Sequence, residues 1–134
     1  EMQRSLVGSE MCIRDRFITE TAAIVHDIGI RLCLEKYEDG NGKLQEKEGP
    51  ALAEQMLSEL GFEKDVIERV SFLVGHHHTY TGIDGLDYQI LVEADFLVNA
   101  AEKGLGKEAV AHFLENVAKT DCGRRLLQSI FLDK

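Results

Sequence analysis

Glu20-Thr21-Ala22-Ala23-Ile24-Val25-His26-Asp27-Ile28-Gly29 is the stretch on which the reading turns. It opens on helix formers, and with Ile18 upstream it places Ile18, Ala22 and Val25 on one face, the spacing of a half-buried helix. A helix over 17–27 is therefore expected, with Gly29 placed to end it. His26 and Asp27 then stand side by side at the end of an apolar helical segment. Ionisable groups in such a place are expensive to bury unless paired or coordinated, so this pair asks for a metal ion.

Outward from that stretch, helical spacing continues. Residues 31–37 read as a short helix and 38–42 (Glu-Asp-Gly-Asn-Gly) as a loop. Leu52, Met56 and Leu60 recur at helical steps, and Pro50 places the start of that helix near Glu48 or Gly49, with the proline in its first turn. A helix over 63–75 follows, its core face formed by Val66, Val70 and Leu73 or Val74. Residues 87–101 are strongly helical, and two helices close the chain, over 107–118 and 122–131. Neither an alternating β pattern nor a repeat occurs. The expected fold is all-α.

Composition narrows the function. The chain has 134 residues, one domain's worth, and a net charge of −9 without acidic blocks. A face for nucleic-acid polymers or anionic membranes needs clustered cations, and none is seen. No apolar run approaches the roughly 18 residues of a membrane span. Cys12, Cys33 and Cys122 lack paired spacing, so neither a disulfide framework nor a zinc knuckle is indicated, and a reducing, cytoplasmic setting is expected. Residues 6–16, Leu-Val-Gly-Ser-Glu-Met-Cys-Ile-Arg-Asp-Arg, look like one reading frame of a transposase-based sequencing adapter. Residues 1–16 are accordingly set apart as non-native, Met11 and Cys12 carry no functional weight, and the native domain is expected over 17–134 without its first helix or helices.

Two further features carry chemistry. Asp95, in Leu91-Val92-Glu93-Ala94-Asp95-Phe96-Leu97-Val98, shares a helix face with Leu91, Val92, Val98 and Asn99. A carboxylate on an apolar stripe needs a cation, donors or a metal, and Asn99, one turn on, is placed to orient it. His76, His77 and His78 are consecutive, about 100° apart on a regular helix, so they do not all face one ion. One reading is a helix C-terminus, where imidazolium suits the dipole. In the other, His77 or His78 points into a metal cleft to bind an ion, contact phosphate or protonate a leaving oxygen. Arg31 is a candidate phosphate contact, with an exposed salt bridge as the plain alternative. Tyr80 and Tyr88 line a pocket or pack the core. His112 is assigned nothing.

The adjacent His26-Asp27, the phrase His-Asp-Ile-Gly and the later Val-Glu-Ala-Asp-Phe resemble the HD-domain superfamily of metal-dependent phosphohydrolases over essentially 17–99. The resemblance implies a helical bundle of about six helices. It implies a divalent transition metal (manganese, iron, cobalt or nickel, with magnesium suited less well) held by His26, Asp27 and Asp95 together with an upstream histidine. It also implies hydrolysis of a small phosphorylated substrate, a monoester, diester or nucleotide, by a metal-activated water, with His77 and His78 in catalytic roles and Arg31 on the substrate. Two departures stand out. The upstream histidine would fall where the adapter-like segment lies, which weakens the site. Gln45 or Lys47 stands where two-metal members carry a histidine, which counts against a second ion. A di-iron oxygenase and a non-catalytic nucleotide-binding module are the competing expectations, and an inactive fragment is a third. Oligomeric state is left open.

Overall fold

Helix formers without alternating β-branched runs give helices throughout residues 13–133, the part that the structure, a computed structural model, describes. The helices are α1 (Ile13–Val25), α2 (Ile30–Tyr37), α3 (Gly42–Glu59), α4 (Lys64–Val74), α5 (Leu86–Lys103), α6 (Lys107–Asn116) and α7 (Asp121–Leu127), with a π-helical stretch, Gln128–Leu132, after the last. No strand occurs among the described residues. The fold class is all-α, as the spacing implies. The adapter-like residues 1–12, including Met11 and Cys12, lie outside the described part. Two contact units divide the rest, Ile13–Gly82 and the residues from Ile83 onward.

In the first unit α4 packs against both α1 and α3, and α2 packs against α3. Helix α1 starts four residues before the expected Phe17 and ends at Val25, so His26 and Asp27 sit in the turn that follows it. Its buried face is the expected one, Ile18, Ala22 and Val25 joined by Thr21. Val66, Ile67, Val70, Leu73 and Val74 of α4 are buried, again as the spacing implies.

Helix α3 corrects the expected start. It begins at Gly42, and Pro50 lies in its interior. The Asn41 side chain caps the start, its Oδ1 accepting from the Leu44 amide at 3.1 Å. This strong N-terminal signal outweighs the one backbone bond that a proline cannot donate. The buried face is Gln45, Gly49, Ala53 and Leu57 rather than Leu52, Met56 and Leu60; Met56 is 42% exposed and Leu60 66%. Close approach decides this. A methyl group on Gly49 would stand 2.7 Å from Cγ1 of Val74, and one on Gly29 would stand 3.1 Å from the backbone nitrogen of Gly49. The small residues turn inward because the neighbouring backbones leave no room for larger ones.

In the second unit α5 packs on α7, and α6 packs on α7 and on the π-helical stretch. Phe96 and Phe113 stack with ring centroids 3.8 Å apart, and Tyr88 is fully buried in the core. A buried carboxylate fastens this unit. Oε2 of Glu93 accepts from Gln89 Nε2 (2.6 Å) and from the backbone amides of Lys119 (2.7 Å) and Thr120 (3.0 Å), and Oε1 accepts from the Thr120 hydroxyl at 2.5 Å. The same hydroxyl caps α7 by accepting from the Gly123 amide at 3.0 Å. The start of α7 thus finds its partner, and the carboxylate meets four donors.

Candidate metal centre

The turn after α1 and the turn after α4 bring four sequence-predicted residues together in the first unit: His26, Asp27, His77 and His78. The His26 ring is edge-on to that of His77 at 5.1 Å between centroids, and His77 and His78 are 4.1 Å apart. Nε2 of His26 lies 3.3 Å from Asp27 Oδ2, and Nε2 of His77 lies 3.7 Å from Asp27 Oδ1. His77 is completely buried, whereas the Asp27 side chain is 49% exposed. The burial argument for a His-Asp pair therefore applies to His77 rather than to Asp27.

Hydrogen bonding sets the tautomers. Nδ1 of His26 lies 2.7 Å from the Ala23 carbonyl, and Nδ1 of His77 lies 2.8 Å from the Val74 carbonyl. A carbonyl can only accept, so both Nδ1 atoms carry a proton, and in the neutral form of each ring Nε2 is the lone pair. His76 follows the same pattern, with Nδ1 2.7 Å from the Phe72 carbonyl. These carbonyls are among the last of α1 and α4, where no further helical amide is available. The Nδ1 side of each ring thus serves a helix end, and the Nε2 atoms of His26 and His77 are left on the side of Asp27.

Two imidazole lone pairs now face one carboxylate. Three acceptors converging repel one another unless a cation lies among them. Nε2 of His77 is buried and has no hydrogen-bond partner, and such an atom at the centre of a site calls for an absent species. A divalent transition ion suits this donor set of neutral imidazole nitrogen and carboxylate oxygen. The residues present fit a metal. When the rings are protonated instead, hydrogen bonding from His77 holds the Asp27 carboxyl below its ordinary range against the opposing effect of partial burial, and the charges of His26, His77 and His78 add to the lowering.

Sequence reasoning passed over Glu46. Its Oε2 accepts from the His78 amide at 2.8 Å and from the Thr79 hydroxyl at 2.8 Å, and its Oε1 pairs with Lys43 Nζ at 3.2 Å. Glu46 thereby ties the histidine turn to α3. One signal for this was present in Gly42, one turn earlier, where a methyl group would stand 2.7 Å from Cγ of His78.

The other predicted residues are placed as follows. Arg31 is 91% exposed and pairs with Glu35, four residues on, at 3.2 Å. Tyr80 is exposed. Asp95 belongs to the second unit, on α5, where it is buried at 8% exposure with Leu91 and Val92, although Val98 is 53% exposed. Nδ2 of Asn99 donates to Asp95 Oδ2 at 3.2 Å, the orienting contact expected from their spacing. Cys33 is buried, Cys122 is exposed, and both are free thiols. None of the described helices is long and apolar enough to cross a membrane. Comparison with protein-family models, with curated proteins and with solved structures finds no match to this chain.

Proposed function

We propose that the chain is a metal-dependent phosphohydrolase of the HD type, acting on a small phosphate ester or nucleotide. The observation that carries this reading is the convergence of the two Nδ1-tethered imidazoles, His26 and His77, on the Asp27 carboxylate, with His77 Nε2 buried and unpartnered. His26 and Asp27 hold the ion. The sequence resemblance adds Asp95 as a further carboxylate ligand. A bound divalent ion of the manganese, iron, cobalt or nickel kind supplies a low-pKa water and neutralises charge on the phosphoryl group. His77 Nε2, shielded from bulk water, is a further donor toward the ion, and His78, held in place through its amide by Glu46, is the candidate proton carrier for the substrate. Arg31, on the solvent side, is the candidate contact to the distal part of the substrate.

The test is elemental analysis of the purified protein and of its Asp27→Ala and Asp95→Ala variants, followed by a phosphoester screen with metal supplied. Transition metal near one equivalent in the parent, depleted in both variants and accompanied by metal-dependent phosphate release, is the expected result. A parent that takes up no divalent ion under any supplement refutes the reading.

A further inference from the structure

Lys43 reaches from the first turn of α3 to the histidine turn. Its Nζ donates to the Thr79 hydroxyl at 3.2 Å and to Glu46 Oε1 at 3.2 Å. Gly42, the residue before it, leaves the space that the His78 ring fills, since a methyl group there would stand 2.7 Å from Cγ of His78. The ammonium and the imidazole are thus held between the same two segments, residues 42–43 of α3 and residues 78–79 of the turn. Arg31 bonds along its own helix to Glu35, whereas Lys43 bonds across to the turn that carries His77 and His78.

Charge is layered at this contact. The Glu46 side chain is 9% exposed and that of Lys43 is 73% exposed. The carboxylate is covered by the His78 amide and the Thr79 hydroxyl, both at 2.8 Å, and the ammonium lies on its solvent side. An ammonium has three N–H groups; two go to Thr79 and Glu46, and the third is left for solvent. The pair therefore presents its positive end outward, and an anion approaching His78 meets the cation before it meets Glu46. An ion pair so exposed on its cationic side holds weakly. Nζ can take up a phosphoryl oxygen while Glu46 keeps the amide and hydroxyl that anchor the turn.

We infer that Lys43 is a phosphate-binding residue of the proposed hydrolase, receiving a non-bridging oxygen of the phosphoryl group beside His78. This inference rests on the functional reading above. Two variants separate a role toward phosphate from a structural role through Glu46: Lys43→Gln removes the charge, whereas Lys43→Arg keeps it. The probe is inorganic phosphate, titrated calorimetrically into protein loaded with manganese(II), with manganese affinity measured on its own. Deuterium exchange at the amides of His78 and Thr79 reports whether the turn is intact.

The expected result is a roughly tenfold weaker phosphate affinity for Lys43→Gln, with Lys43→Arg close to the parent, and with manganese affinity and amide exchange unchanged in both. If Lys43→Gln binds phosphate as the parent does, the inference falls and the functional reading stands. A loss of phosphate affinity that comes with faster exchange at 78 and 79 also overturns it, because Lys43 is then a strut for Glu46. Equal loss in Lys43→Arg overturns the assignment to charge. A parent that takes up no manganese overturns the inference together with the functional reading, and a parent that takes up manganese but no phosphate overturns both while leaving a metal site.

Discussion

Substituting Gly123 by alanine tests whether the Glu93 carboxylate governs the second unit. Gly123 lies in the first turn of α7, where alanine in place of glycine should favour the helix by about 1 kcal/mol. Yet the new methyl group would stand 1.9 Å from Glu93 Oε1 and 2.8 Å from Thr120 Oγ1. The carboxylate must shift by at least about 1 Å to reach an ordinary contact, which breaks the Thr120 bond and strains the other three. Losing about two charge-assisted bonds of about 1.5–3 kcal/mol each, less the helix gain, leaves a net cost of about 2–5 kcal/mol. Urea unfolding followed by circular dichroism should show the midpoint falling by that energy divided by an unchanged slope. The decisive arm is a double-mutant cycle with Glu93→Ala: once the carboxylate is gone, Gly123→Ala should become neutral or stabilising, a coupling of about 2 kcal/mol or more. A Gly123→Ala protein as stable as the parent, or additivity with Glu93→Ala, refutes the reasoning.

Three further outcomes follow. Glu46→Ala should release the histidine turn from α3, so the amides of His78 and Thr79 should exchange with deuterium at least about tenfold faster while those of α4 keep their protection; unchanged exchange at 78 and 79 would deny Glu46 that role. Cys33 is buried with its thiol pushed up, first by that burial and then by the negative charge of Glu48 and Asp39, so iodoacetamide should alkylate Cys122 in the native protein and leave Cys33 intact. In the unfolded chain this thiol ionises near pH 8.5 and in the folded chain only higher, so its contribution to stability is complete below about pH 8.5 and falls as pH rises further. A Cys33→Ala variant should flatten the alkaline side of the stability curve, and a curve that keeps the parent's shape would count against the assignment.

The all-α class was legible because apolar residues recur at three- and four-residue steps with no run of period two, and the buried faces of α1 and α4 contain the residues that spacing names, joined by Thr21 and Ile67. The face of α3 was not legible. Leu52, Met56 and Leu60 are the larger apolar residues, and a rule that ranks positions by apolar bulk selects them. The packing instead rewards Gly49 and Ala53, whose smallness lets α4 and the turn at Gly29 approach. His26, Asp27, His77 and His78 were singled out by residue type, and the structure gathers them in one place. What residue type could not show is which ring atom each histidine commits to a carbonyl. Glu46 and Glu93 escaped notice for a related reason: a lone glutamate in a helical stretch reads as solvent-facing, and only the folded chain reveals the amides that converge on it.

The bonds from His26 and His77 to the carbonyls of Ala23 and Val74 have a consequence for how the site comes into being. Each ring is aimed by the last turn of a helix, so its orientation is acquired when that turn closes and is lost when the turn frays. On the proposed metal reading, an arriving cation would find the rings with little rotational freedom left to surrender, the ordering cost having been met by the folding of α1 and α4. The reverse follows by linkage. On the same metal reading, an ion bound to the Nε2 atoms of these rings would hold both helix ends shut, and at a hundred times its dissociation constant it would add about 2.7 kcal/mol to the stability of the fold.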